Sequence, residues 1–114
     1  MSRRNAERKE RVSRGTDNVF ADLGFPDADE RAAKLRLAYA LNQALEERGL
    51  SQAGAGTVLG VAQPKVSALR NYKLAGFSVE RLMNLLTAAG RDVEVVIKRK
   101  PRSRQCARIT VVAV

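Results

Sequence analysis

The sequence predicts a mainly α-helical domain of four to five helices, extended at its C-terminus by a β-strand or hairpin. Three observations carry this reading. Leucines and alanines recur at helical spacing through the middle of the chain, and aromatics make up only 4% of residues, so the core is built from Leu, Val and Ala. Glycines at 49, 60 and 90 each close an apolar-periodic segment. Beyond Gly90 the composition turns β-branched, with Val93, Val95, Val96 and Ile97 and later Ile109, Thr110, Val111, Val112 and Val114.

Taken in order, residues 1–18 hold almost nothing apolar and are expected to form a flexible basic arm. Phe20, Leu23 and Phe25 follow in a polar neighbourhood and are expected to pin that arm to the core. A first long helix is expected from Asp27 or Asp29 to Arg48, with Leu37, Leu41 and Leu45 on one stripe and Arg36, Gln43 and Glu47 on the polar face. Ser51 is placed to cap a short helix, Gln52 to Leu59. After Gly60 a third helix runs from Gln63 to Tyr72, with Pro64 in its first turn and Val66 and Leu69 inward. Ser78 caps a fourth, in which Leu82, Leu85, Leu86 and Ala89 face the core. The organisation is therefore an arm over 1–18, a helical domain over 19–91, and a C-terminal β element over 92–114. In that last element Val93, Val95, Val96 and Ile97 are apolar on both faces, and a second copy of the chain is the expected cover, making a homodimer.

Charge and residue usage limit what the chain does. The net charge is +9, from 21 Lys and Arg against 12 Asp and Glu. Residues 1–18 hold six cations and three carboxylates, residues 98–108 hold six and none, and the 79 residues between are balanced. A neutral centre with basic ends suits a polyanionic partner, because a cation brought to a phosphate releases condensed counterions. The lone Cys106 forms no intrachain disulfide, and without histidine the chain lacks the usual neutral-pH base and metal ligand. No catalytic residue, metal site or cofactor is expected, so an enzyme is the least favoured class. No stretch reaches the length of a membrane span, and no secretion signal follows the N-terminal arginines, which makes the cytoplasm the expected location.

The two short helices joined by a tight turn match the geometry in which one helix enters a major groove and its partner crosses the backbone. Amides read adenine edges, and cations read guanine or phosphate. Gln63, Pro64, Lys65, Ser67, Ala68 and Asn71 are the candidate base contacts, while Gln52, Arg70 and Lys73 are the candidate phosphate contacts. An RNA-binding reading has less support, since the phenylalanines look buried and leave no stacking platform.

The stretch LSQAGAGTVLGVAQPKVSALRNYK resembles the phage-repressor-like, or Xre-type, helix-turn-helix family, whose fold is lambda-repressor-like. Leu50, Ser51 and Gln52 correspond to the family's leucine, cap and phosphate-contacting glutamine. Leu59, Gly60 and Val61 correspond to its turn, and Gln63 to its base-reading glutamine. The flanking segments are similar to the HigA-type antitoxin branch, over residues 18–100. That resemblance implies a dimeric repressor of its own toxin–antitoxin operon that also holds a RelE-like ribonuclease toxin inactive. A stand-alone regulator and a module devoted to toxin neutralisation are the alternatives. Three positions depart from the family pattern: Gly54 and Gly56 replace better helix formers, and Ala62 replaces the usual Ser or Thr cap. Gly54 and Gly56 imply a soft second helix.

Overall fold

A computed structural model of the chain describes residues 26–114. The expected N-terminal arm over 1–18, and Phe20, Leu23 and Phe25, lie outside the described residues. Four helices follow one another: α1 (Pro26–Glu47), α2 (Gln52–Leu59), α3 (Gln63–Arg70) and α4 (Val79–Ala88). None is long and apolar enough to cross a membrane.

The described residues fall into two units. In the first, 26–31 with Lys100–Thr110, local turns are held by cations donating to carbonyls. Lys100 Nζ donates to the Arg104 carbonyl at 2.6 Å, and Arg104 Nη1 to that of Cys106 at 3.1 Å. The amide of Ile109 donates to Asp29 Oδ2 at 3.1 Å.

The second unit, Ala32–Arg99 with Val111–Val114, contains the core. Leu37, Ala38, Leu41, Ala44 and Leu45 of α1 are buried with Ala55 and Leu59 of α2, Val66 and Leu69 of α3, and Leu82, Leu85 and Leu86 of α4. Phe77, in the loop before α4, joins them. Those of α1, α3 and α4 are the inward positions that the helical spacing predicts, which is the expected result where hydrophobic burial decides packing. Ser51 and Ser78 cap α2 and α4 as expected, accepting from the amides of Gly54 at 3.1 Å and Arg81 at 2.9 Å. An ion pair joins Arg91 to Glu47, and Arg36 Nη1 donates to the Val111 carbonyl at 3.1 Å.

Three expectations are corrected. The first is that α1 begins at Pro26, ahead of Asp27, because a proline's fixed φ and missing amide hydrogen suit a first helical position. The second is that α3 ends at Arg70 instead of Tyr72. Tyr72 takes a left-handed conformation, φ 58°, and closes the helix.

The third concerns the C-terminal β element over 92–114: no strand forms among the described residues. A strand exists only through a partner's hydrogen bonds, and the ten-residue connector carrying Pro101 and five like charges is unlike a two- to five-residue hairpin loop. Val93 and Val111 pack on the helical core instead.

Gly56 also behaves differently from the soft-helix expectation. It is buried, and a Cβ built there lies 2.8 Å from the Val61 carbonyl oxygen and 3.6 Å from Val66 Cγ2. The same glycine's carbonyl accepts from the amides of Gly60 at 2.8 Å and Val61 at 3.0 Å, with Gly60 left-handed at φ 71°. The absent side chain is what lets α2 meet the turn into α3. Gly54 has room, since its added Cβ meets Leu50 Cδ2 and Ser51 Oγ at 3.4 Å.

The two glycines therefore respond oppositely in urea unfolding. Gly56→Ala is expected to lose about 1–3 kcal/mol by overpacking against the backbone. Gly54→Ala is expected to gain up to about 1 kcal/mol from helix propensity.

Candidate nucleic-acid interface

Helices α2 and α3, joined by Gly60–Ala62, form the expected pair of short helices with a tight turn. Val66 and Leu69, 0% and 1% exposed, fix which side of α3 is inward. The opposite side carries Gln63, Pro64 and Asn71 in exposed positions, with Ser67 and Ala68 half-buried at its margin. Gln63, Ser67 and Asn71 are four residues apart and lie along one face of the helix and its cap. Gln52 at the start of α2 and Lys73 just beyond α3 are exposed as well.

Several of these side chains are engaged with the protein. Asn71 Nδ2 donates to the Ser67 carbonyl at 2.9 Å, closing the last turn of α3. Lys65 Nζ donates to the Gly76 carbonyl at 3.0 Å and rests 4.7 Å from the centroid of the Phe77 ring. A cation over an aromatic face is attracted by the ring's negative quadrupole. Lys65 therefore ties the first turn of α3 to the loop before α4.

Arg70 donates from Nη2 to the Leu50 carbonyl at 3.2 Å, while its Nε is buried without a hydrogen-bond partner. Its guanidinium is thus directed to the turn between α1 and α2. Of the expected phosphate contacts, Gln52 and Lys73 stand free at the surface and Arg70 is committed to the fold.

One residue that braces the site escapes sequence reasoning. Asn42, buried in α1, donates from Nδ2 to the carbonyl of Leu69 at 3.1 Å. That carbonyl also accepts from the Tyr72 amide at 3.1 Å, so α1 holds the C-terminal end of α3 directly. The signal available was a polar residue beside Leu41 and Leu45 on the buried side of α1.

The helix pair, the close turn and the exposed amide-bearing face are the features of a helix-turn-helix unit. Comparison with protein families matches residues 19–98 to the helix-turn-helix domain family, which spans more than half of the chain. The chain belongs to the helix-turn-helix domain family.

Among solved structures, this helix-turn-helix chain is similar to one provisionally described as an XRE-family transcriptional regulator, at 67% sequence identity and a TM-score of 0.74. The match covers 78% of this chain and 100% of the other. No curated protein matches. XRE-type helix-turn-helix proteins are regulators, not enzymes.

Within this helix-turn-helix, losing the Asn42 contact is expected to loosen the end of α3. Asn42→Ala should lower stability by about 1–2 kcal/mol, read as a shift of the urea midpoint without a change in slope.

Proposed function

We propose that the chain is a sequence-specific double-stranded DNA-binding repressor of transcription that acts as a homodimer on a palindromic site. The observation that carries this reading is the outward face of α3. Gln63, Ser67 and Asn71 lie along it, Pro64 and Ala68 complete an apolar margin able to meet a thymine methyl, and no carboxylate occurs between Gln63 and Val79.

Gln63 is the principal base reader. Gln52 and Lys73 flank it as phosphate contacts, and Lys65 and Arg70 hold the helix in position. Each copy reads one half-site, and occupancy excludes polymerase from an overlapping promoter.

The dimer reading is supported by Val95, Val96 and Ile97, which are 73%, 66% and 93% exposed. Contiguous exposed β-branched residues on an extended backbone are suited to pairing with the same segment of a second copy. Val93 faces the chain's own core and anchors that segment.

The finer reading is that of an antitoxin that represses its own operon and neutralises a RelE-like toxin. Its support is the HigA-like character of the segments on both sides of α2 and α3. Co-expression with a small basic ribonuclease encoded next to the chain is expected to yield a stable complex, and the absence of such a neighbour leaves a stand-alone regulator.

The DNA reading is tested by selecting a preferred duplex from a random pool and measuring binding across a salt series. Gln63→Ala is expected to lose about 1–3 kcal/mol on the selected site and little on random duplex. Lys73→Ala is expected to weaken both alike and to flatten the salt dependence by about one unit of slope. Wild-type binding of both duplexes by Gln63→Ala would show that α3 does not read sequence.

Sedimentation checks the dimer separately. Ile97→Glu is expected to shift the chain toward monomer while leaving the helical fold intact.

A further inference from the structure

We propose that Tyr72 is a DNA-backbone contact, its phenol hydroxyl donating to a phosphate oxygen beside the site read by α3. The inference rests on the DNA-binding reading of α3 and adds a residue to it. It starts from a contrast within the chain. Four described residues have positive φ, and three of them are glycines that close or follow helices: Gly49 at 65°, Gly60 at 71° and Gly90 at 90°. The fourth is Tyr72 at 58°. Its turn has the same hydrogen-bonded form as a glycine-closed helix end, with the Tyr72 amide donating to Leu69 at 3.1 Å and the Lys73 amide to Ala68 at 2.8 Å. A side chain in this conformation crowds its own backbone, so tyrosine is a strained occupant where glycine fits freely.

The tyrosine is only partly covered. The residue is 39% exposed, and its hydroxyl makes no hydrogen bond among the described residues. Its location is the remaining feature: between Asn71 and Lys73, at the C-terminal end of α3. Arg70, also at this end, has its Nη2 on the Leu50 carbonyl, whereas the Lys73 ammonium and the Tyr72 hydroxyl have no hydrogen-bond partner among the described residues. The C-terminal end of a helix disfavours anions, so a phosphate held there needs side-chain donors of its own. A phenol supplies one donor and a flat face that lies along a deoxyribose. The fixed backbone conformation limits the entropy lost when the contact forms.

The experiment measures thermal unfolding and fluorescence anisotropy on the selected and a scrambled duplex, for wild type, Tyr72→Gly, Tyr72→Phe and Gln63→Ala. Tyr72→Gly is expected to melt about 3–8 °C higher as strain is relieved. It should nevertheless bind both duplexes about 5–10-fold more weakly, since a phosphate contact carries no sequence preference. Tyr72→Phe is expected to keep the wild-type melting temperature and lose about 3–10-fold on both duplexes. Wild-type affinity in both tyrosine variants, with Gln63→Ala still losing its preference, overturns this inference alone. Should Tyr72→Gly melt lower and bind weakly, Tyr72→Phe decides, and wild-type binding by it again overturns the inference. Failure of the wild-type chain to prefer any duplex removes the DNA reading itself.

Discussion

The Val61 carbonyl oxygen lies 2.8 Å from where a side chain on residue 56 would begin, and the remainder of the site depends on that close approach. Gly56 gives its own carbonyl to the amides of Gly60 and Val61, so one residue both ends α2 and admits the turn that starts α3. A methyl group there would push the turn outward. Because Val66 Cγ2 is 3.6 Å from the same point, the displacement would reach the buried side of α3. The angle at which α3 presents Gln63 and Asn71 is therefore set by a missing side chain in the neighbouring helix. A packed core transmits such a shift because it has few voids to absorb it.

The polar side chains around α3 complete what that contact begins. Lys65 reaches to Gly76 and Phe77, Arg70 to Leu50, and Asn42 from α1 to Leu69. These three contacts tie α3 to three different parts of the fold, at its start and at its end. The result has an electrostatic consequence. Two of the three cations between Gln63 and Val79 have their charged groups hydrogen-bonded to protein carbonyls, which fixes where those groups sit and leaves their charge in place. The six cations of residues 98–108, with no carboxylate among them, are the largest local excess of positive charge in the sequence.

Much of this was legible in the sequence, for reasons that differ by element. α2 is bounded as expected because Ser51 and Gly60 announce its ends, and the inward residues of α1, α3 and α4 follow apolar spacing, which burial enforces. The outward face of α3 follows from the same periodicity once Val66 and Leu69 are inward. What spacing does not encode is where a long side chain ends: Lys65 and Arg70 read as contacts for an external partner, yet their tips bind carbonyls 11 and 20 residues away. Gly56 was misread because propensity counts only the helix containing a residue, whereas its requirement comes from the backbone of the next turn. The β-branched run after Gly90 has the composition of strands, but composition cannot supply the hydrogen-bond partner that a strand needs.

Departures from local rules gather on α3 itself. Its N-cap, Ala62, has no side-chain hydrogen bond to offer the first turn, and its C-terminal residue of positive φ is a tyrosine. Both ends of this helix are thus built less favourably than those of α2, which has a serine cap and a glycine close. The helix persists because its buried side and its braces over-determine its position, a condition under which strain is retained instead of relaxed. An uncapped start also leaves the first turn without a competing side-chain acceptor. The two ends, and not the buried side, are therefore where this helix departs most from local preference.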